Sequence, residues 1–393
     1  MDTAENEQLV EFTRKLVRLP TVNDAGRGEA PAAHLVVELM RSWGWAPLVE
    51  EIEPGRPNVI AVVDGGRPGP TLLFEGHTDV VTEGDRTQWS VDPFGAEIRD
   101  GRLYGRGSAD MKSGVAAMLF AARRLQLAGP FPGRIKLAVL VDEEGMMLGA
   151  KHFVAAGHAA DVDAAIVCEP EAEEVCLTAK GAIRVRLDLH GAMAHGAMPD
   201  HGRNPVPVLG SILGWLAGYQ AELQESAGRH PHLGLPYVTP TVVGAGDLDQ
   251  VNVIGADAVL ALDIRTVPGL DHSAIVAAIK KNAESIAVAA GVTVMATVID
   301  DRPATETAAN SAVARAVMAA HQDITGEPAV IGGVPGATDG TILWRDAGLP
   351  VVVYGPGGKW IAHQVDEFVE VADIVRKARV YVRAAELFLA GSG

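Results

Sequence analysis

The feature that most limits the possible folds of this chain is a repeated change between two residue periodicities. Short apolar runs bounded by glycine and proline predict buried strands, and helical patterns lie between them. The predicted strands are Asn58–Val63, Thr71–Glu75, Ile135–Val141, Ala164–Cys168 and Pro350–Tyr354. The predicted helices include Ala30–Trp43, Ser113–Leu127, Gly149–Ala156, Ala308–His321 and one from about Val371. Buried strands that alternate with helices indicate an α/β sandwich with a mostly parallel sheet.

The middle of the chain follows a different pattern. Residues Ala182–His190 alternate strictly between apolar and polar, as a half-buried strand does. The elements predicted after it are a helix, two strands, a helix and a strand, at Pro205–Ser226, Tyr237–Val243, Ala256–Thr266, His272–Ala290 and Val292–Ile299. This β-α-β-β-α-β order is that of the ferredoxin-like unit. We therefore predict a domain formed by residues 1–178 and 301–393, into which a smaller α+β domain, residues 179–300, is inserted.

The charge and the cysteine content limit the setting and the partners. The chain has 33 basic and 50 acidic residues and a net charge of −17, which disfavours binding to nucleic acid or to an anionic membrane. With only Cys168 and Cys176 present, no disulfide framework is implied. The N-terminus lacks the basic start and apolar run of a signal peptide, and no apolar stretch approaches a membrane span. We expect a cytoplasmic protein.

Histidine or acidic residues follow the carboxyl ends of the predicted α/β strands. The positions concerned are His77 and Asp79, the Asp142–Glu144 segment, Glu169, and His363 in the loop after the last strand. Asp110 lies just before the helix predicted from Ser113. Because open α/β sheets place ligand sites outside the carboxyl ends of their strands, we expect these side chains at one rim.

Such a group of side chains predicts bound cations. A single acidic residue after a strand is more often a helix cap, but burying several carboxylates together is costly unless cations neutralise them. Two divalent ions, bound by imidazole and carboxylate oxygen, would do so. His77 and Asp79 are two residues apart in extended chain and project to the same side. Asp79 can therefore orient the imidazole of His77.

Five sequence strings together resemble a known family. They are EGHTDVV, GRLYGRGSADMKSG, VDEEGMMLGAK, CEP and AHQVDEFV. They are similar to motifs of the acetylornithine deacetylase, succinyl-diaminopimelate desuccinylase, aminoacylase and glutamate carboxypeptidase family of co-catalytic zinc metallopeptidases. The resemblance covers nearly the whole chain, including motif order and the inserted domain. It implies a hydrolase of amide bonds that forms a homodimer through residues 179–300.

The resemblance also implies roles for individual residues. It implies two divalent ions, one held by His77 and Glu169, the other by Glu144 and His363, and both by Asp110. Zinc is the expected metal, with cobalt or manganese as alternatives. Glu143 would be the general base and acid, and Asp79 would orient His77. The bond between Asp110 and Met111 would be cis.

A second set of candidate residues would act on the substrate. The resemblance implies that His195 reaches the active site of the partner subunit and stabilises an oxyanion, and that Asn252 is also contributed across the dimer. Arg265 matches an arginine that binds the substrate carboxylate, although a surface ion pair is an alternative for it. The stretch with Gly336 and Thr338 resembles a substrate loop that receives an anion on backbone N–H groups.

The resulting function is hydrolysis of an N-acyl amino acid or a small peptide-like amide with a free carboxylate. A dipeptidase or carboxypeptidase is the alternative within the enzyme class, and a catalytically silent binding protein is the alternative outside it. A two-metal phosphoesterase is disfavoured because the motifs lack the Arg/Lys cluster that a phosphoryl group would require. The sequence does not specify the acyl group.

Overall fold

The computed structural model describes residues 1–24 and 28–391. The described α-helices are α1 (Thr3–Val17), α2 (Ala30–Ser42), α3 (Ser113–Ala128), α4 (Leu148–Ala155), α5 (Pro205–Ala227), α6 (His272–Ala289), α7 (Ala312–Thr325), α8 (Gly340–Ala347) and α9 (Val371–Leu389). The strands are β1 (Leu48–Glu53), β2 (Arg56–Asp64), β3 (Gly66–His77), β4 (Ile98–Arg99), β5 (Arg102–Tyr104), β6 (Phe131–Leu140), β7 (Ala164–Pro170), β8 (Glu174–Ala179), β9 (Gly181–His190), β10 (Ala194–His195), β11 (Tyr237–Ala245), β12 (Val253–Ile254), β13 (Asp257–Thr266), β14 (Thr293–Arg302), β15 (Thr305–Glu306), β16 (Val330–Val334), β17 (Val351–Gly355) and β18 (Phe368–Glu370).

The chain forms two compact units. The first consists of Met1–Thr178, Glu306–Val334 and Thr338–Gly393, and the second of Ala179–Thr305 with Pro335–Ala337. None of the described helices is both long and apolar enough to cross a membrane.

The first unit contains a nine-stranded sheet in the order β1-β2-β6-β3-β7-β17-β8-β15, with β16 paired to β8. The central pairs β3–β6, β3–β7 and β7–β17 are parallel, while the pairs β1–β2, β2–β6 and β17–β8 are antiparallel. Helices α3 and α9 contact β3 and β6. Strand β7 is fully buried and β3 is buried from Thr71 to His77, because packed elements cover both faces, which is typical of parallel sheets. The predicted α/β class is confirmed.

The second unit contains a four-stranded antiparallel sheet in the order β11-β13-β9-β14. Alternate residues of β9 are buried, and they pack in one core with residues of α5 and α6. The predicted strand and helix order is confirmed, and the strand order is that of a ferredoxin-like unit. Strand β14 continues to Arg302 and the unit to Thr305, so its second boundary lies a few residues beyond the expected residue 300.

Some helices and strands differ from the prediction. Helix α7 begins at Ala312 rather than Ala308, because the Ser311 side chain accepts the N–H of Ala314 and caps the helix there. Helix α8 was not predicted, since it has only eight residues and no side-chain cap. Strand β1 was also not predicted. It is an edge strand with three glutamates among six residues and therefore lacks an apolar run.

Candidate metal centre and active site

The parallel register aligns the strand ends that carry the candidate residues. His77 is the last residue of β3 and pairs with Leu140, the last residue of β6. The Asp142–Glu144 segment therefore begins beside His77. Glu169 lies near the end of β7, which pairs with β3 on its other side, and His363 lies in the loop after β17. The carboxyl ends of β3, β6, β7 and β17 thus supply side chains to one rim.

The candidate ligands form two clusters that share one carboxylate. In the first, the Nε2 atom of His77 is 3.2 Å from Glu169 Oε1 and 3.3 Å from Asp110 Oδ1. In the second, the Nε2 atom of His363 is 2.9 Å from Glu144 Oε1 and 3.3 Å from Asp110 Oδ2. Within each cluster the possible ligand atoms lie within 4.8 Å of one another. Each oxygen of Asp110 therefore faces a different histidine.

A short irregular turn before α3 directs Asp110 into the site. Residues Ser108–Lys112 form a π-helical turn in which Asp110 itself is extended, with φ −114° and ψ 99°. The Asp110–Met111 bond is cis, as predicted. Gly107 precedes the turn at φ +81°, and a Cβ atom there would lie 2.5 Å from a methyl group of Val80. Only glycine fits this approach.

Asp79 contacts both His77 and the segment that carries the two glutamates. The Nδ1 atom of His77 is 2.9 Å from the Asp79 carbonyl oxygen and 3.3 Å from its Oδ1. The Asp79 carboxylate also accepts the N–H groups of Glu143 at 3.4 Å and Glu144 at 3.1 Å. These contacts leave Nε2 of His77 to face Asp110 and Glu169, as a ligand nitrogen would.

The site concentrates negative charge, which shifts the pKa values of its acidic and histidine side chains. Burial raises the pKa of Glu143 well above its usual value, and the carboxylates of Glu169 and Glu144 raise it further. The carboxylates of Asp110 and Glu144 raise the pKa of His363 to about 11. Burial would raise the pKa of Asp110, but its bonds to His363 and His77 outweigh burial and lower it. The raised pKa of His363 favours a protonated imidazole in the metal-free chain, and its positive charge offsets the neighbouring carboxylates.

This donor set fits divalent cations. Two imidazole nitrogens and several carboxylate oxygens converge, and these are ligands that zinc, cobalt and manganese accept. A cation in each cluster would replace a proton as the neutralising charge. Glu143 lies beside the first cluster, its Oε2 3.9 Å from Nε2 of His77, and is not part of either ligand group among the described residues. An open cleft of about 530 Å³ adjoins the site and includes Glu144 in its lining.

A third acidic group has a different explanation. Glu171, Glu174 and Cys176 lie close enough to hold an ion. However, the ammonium of Lys359 lies 2.7 Å from each of the two glutamates. The lysine already supplies the positive charge, so we interpret this group as an ion-pair network rather than a metal site.

Three candidate residues lie in the Ala179–Thr305 part of the second unit. His195 pairs with Val253 in the β10–β12 ladder, and the N–H of Gly196 donates to the carbonyl oxygen of Asn252 at 2.7 Å, so His195 and Asn252 are neighbours. The Nδ1 atom of His195 accepts the N–H of Ala197 at 3.0 Å, which leaves the hydrogen of a neutral ring on Nε2. Arg265 forms an ion pair with Asp263 at 2.6 Å, the alternative that the sequence left open.

The residues of the expected substrate loop have local roles. The Thr338 side chain is buried, and its hydroxyl oxygen accepts the N–H of Gly340 at the start of α8. The backbone at Gly336 does not have a positive φ, and a Cβ atom there would meet no atom within 4 Å. Neither local backbone strain nor crowding therefore explains the glycine at 336.

A buried ion pair that the sequence motifs did not indicate supports both clusters. The carboxylate of Glu367 accepts the N–H groups of Ala109 and Asp110, at 3.0 and 3.1 Å, and pairs with Arg106 at 2.5 Å. The Arg106 guanidinium in turn donates to the carbonyl oxygen of His363 at 3.3 Å. Glu367 is part of the string AHQVDEFV. Nothing in that string indicates its contact with Arg106, which lies 261 residues earlier in the chain.

An α/β sheet that holds two such clusters at its carboxyl rim is typical of metal-dependent hydrolases, and the family match and the curated relatives identify the bond cleaved as an amide. The chain belongs to peptidase family M20/M25/M40, whose family model matches residues 73–387. The resemblance inferred from the motifs is thus confirmed.

Curated relatives match along almost their entire length. Succinyl-diaminopimelate desuccinylase 2 of Ruegeria sp. (strain TM1040) is 33% identical, over 98% of this chain and 96% of its own. Succinyl-diaminopimelate desuccinylase of Rhodospirillum centenum is 32% identical, over 98% of both chains.

Solved structures share the fold. An M20 family metallo-carboxypeptidase from Sulfolobus solfataricus has a TM-score of 0.80 at 22% identity and covers 99% of this chain and 100% of its own. A Bacillus subtilis protein described as a dinuclear metal binding peptidase from the M20 family has a TM-score of 0.75 at 17% identity, over 99% of both chains.

Proposed function

We propose that this protein is a two-metal deacylase that hydrolyses the amide bond of an N-acyl amino acid with a free carboxylate. The observation that carries the proposal is the shared aspartate, since the two oxygens of Asp110 each lie 3.3 Å from a different histidine. Asp110 would therefore help to hold both cations, together with His77 and Glu169 on one side and Glu144 and His363 on the other. Zinc is the metal we propose first, with cobalt and manganese as alternatives.

The proposed mechanism gives Glu143 two proton transfers. Two divalent cations, when bound, would lower the pKa of a water molecule from about 15.7 towards ~7 and polarise the scissile carbonyl. Glu143 accepts the proton of the attacking water and then donates it to the leaving amine. Burial raises the pKa of Glu143 above that of a free carboxyl group, which makes its carboxylate a stronger base. Asp79 keeps the His77 ring oriented throughout.

The proposed substrate class rests on the curated relatives and on a basic side chain. The relatives that match along almost their entire length are named desuccinylases, so an N-succinyl amino acid is the first candidate. The planar guanidinium of Arg265 suits recognition of a substrate carboxylate. We also propose a cytoplasmic location, which suits a chain whose two cysteines are both buried and free.

Mass-spectrometric screening of the metal-loaded protein tests this function. The compounds screened are N-succinyl, N-acetyl and N-carbamoyl amino acids and dipeptides. We expect cleavage of an N-acyl amino acid, N-succinyl substrates first, and loss of that cleavage on chelation. Cleavage of dipeptides alone would make the protein an exopeptidase. Failure to cleave any substrate with stoichiometric metal present would contradict the deacylase and favour a silent binding protein.

We further propose a homodimer formed through residues 179–300. Strand β11 is an outer strand of the small sheet and exposes Val242 and Val243, and the nearby Leu248 is 93% exposed. Such an edge is prone to pair with another chain, and a second copy would cover it. In this dimer, Nε2 of His195 would donate to the oxyanion in the partner's active site, with Asn252 beside it.

Mixing two inactive variants tests whether His195 acts across the dimer. His195→Ala and Glu143→Ala, unfolded and refolded together, should regain about a quarter of wild-type activity, because half of the random dimers are mixed and each holds one complete site. Each variant refolded alone is the control. Mixed dimers verified by mass that recover no activity would contradict action across the dimer.

A further inference from the structure

Asn23, which no sequence motif indicated, also supports this site. The Val80 N–H donates to the Thr21 carbonyl oxygen at 3.0 Å, and the Asn23 N–H donates to the Val80 carbonyl oxygen at 2.8 Å. These backbone bonds hold the segment before Asp24 against the end of β3. They place the Asn23 side chain beside Asp79.

The amide of Asn23 contacts two carboxylates at once. Its Nδ2 atom lies 2.6 Å from Asp79 Oδ2 and 3.0 Å from Asp142 Oδ1. An amide nitrogen carries two hydrogens, so one can be donated to each carboxylate. The bonds are charge-assisted, because both acceptors are acidic groups. Asn23 therefore links two carboxylates that follow different strands, β3 and β6, at the rim of the sheet.

Asp142 organises the turn that carries the catalytic segment. Its Oδ1 also accepts a bond from Arg56 at 2.9 Å, and its Oδ2 accepts the N–H of Met146 at 2.9 Å. Asp142 has a φ of +67°, and the turn closes tightly, since a Cβ atom at Gly145 would lie 2.2 Å from Asp142 Oδ1. The two residues after Asp142 are the proposed base and a proposed metal ligand. Movement of the Asp142 carboxylate would therefore move both.

Arg56 fixes the far side of Asp142. Its Nε and Nη2 atoms both donate to the carboxylate of Glu29, and that carboxylate accepts the N–H of Asp142 at 3.1 Å. Asp142 is thus held on one side by the Glu29–Arg56 pair. Asn23 is the described side chain that joins it on the other side to Asp79.

We propose that Asn23 is a positioning residue that couples the two metal clusters. Through Asp79 it fixes the ring of His77, and through Asp142 it fixes the turn that carries Glu143 and Glu144. The proposal rests on the proposed two-metal function. It adds that one amide, beside the direct bonds from Glu143 and Glu144 to Asp79, holds the two halves of the site in their relative positions.

Three single variants test this role. Asn23→Asp has the same size but replaces the donor nitrogen with an acceptor, Asn23→Ala removes the group, and Asn282→Ala is a control that removes an asparagine bonded to a carbonyl oxygen in α6. The measurements are calorimetric zinc affinity, the absorption spectrum of the cobalt-loaded protein, kcat, KM, and thermal unfolding of the metal-free chain.

We expect zinc affinity to fall roughly 10–100-fold in both Asn23 variants, as for other groups that orient metal ligands. The cobalt spectrum should change, and kcat should fall about 100-fold with KM within about threefold, since small misplacements act mainly on the chemical step. The Asn282→Ala protein should match the wild type. Wild-type zinc affinity and an unchanged cobalt spectrum in Asn23→Asp would overturn the proposal. The proposal would also be overturned if zinc affinity and kcat fell only in proportion to a lower thermal stability of the variant.

The affinity and the spectrum do not depend on finding a substrate. If the wild type cleaves no amide, the proposed function fails, but the coupling is still decided by metal binding. If the wild type is active and Asn23→Asp behaves like it in every measurement, the coupling alone fails.

Discussion

Replacing Glu143 by glutamine is expected to lower kcat by roughly 10²–10⁴-fold, the usual contribution of a general acid–base group. Glutamine keeps the size of the side chain but cannot accept a proton from water. Metal binding should persist, because Glu143 belongs to neither ligand cluster among the described residues. Steady-state kinetics on the cleaved substrate and metal analysis of the purified variant measure the two effects.

The matched control for this substitution is Glu7→Gln, which changes an exposed glutamate of α1 and should leave kcat unchanged. Turnover within tenfold of the wild type in Glu143→Gln would exclude Glu143 as the base. Loss of metal together with activity would instead assign Glu143 to the ligand set.

The substitution Asp110→Asn is expected to weaken the binding of both cations and to abolish activity. Asparagine retains one carbonyl oxygen, so it can face only one of the two histidines with an acceptor, and it carries no charge. We expect zinc affinity to fall more than about 100-fold, beyond the range for groups that only orient ligands. Calorimetric titration of zinc into the metal-free variant measures the zinc affinity of both sites.

Asp64→Asn, at an exposed position in β2, is the control and should bind zinc normally. If Asp110→Asn lost one cation and kept the other at wild-type affinity, the two clusters would be independent and the bridging role would be wrong. Chelation of the wild type should abolish activity, and added zinc should restore it.

The position of the candidate ligands at one edge could be predicted because it follows from two simple regularities. Buried apolar runs identified β3, β6, β7 and β17, and parallel strands end at the same edge of a sheet. Residues placed directly after those runs, such as His77 and Glu169, therefore had to lie close together, and the structure brings them within 3.2 Å. The grouping into two clusters came from the family resemblance, since periodicity does not specify which ligands are neighbours.

The supporting network could not be predicted in this way. Asn23 and Arg56 reach Asp142 from positions 119 and 86 residues away, and neither lies in a periodic run. Their contacts depend on the left-handed backbone of Asp142 and on side-chain directions that only the packed chain determines. The helix boundary at Ser311 was missed for a similar reason, because a local cap and not apolar periodicity sets it.

The place of β17 in the large sheet has a consequence for the order of folding. This strand, Val351–Gly355, lies between β7 and β8, which precede it by more than 170 residues in the sequence. The strands of the small sheet all lie between Gly181 and Arg302, so that sheet can close during synthesis, whereas the large sheet stays open until almost the whole chain has left the ribosome. His363 emerges later still. The nascent chain therefore exposes unpaired strand edges for most of its synthesis, and the complete ligand set exists only once translation is nearly finished.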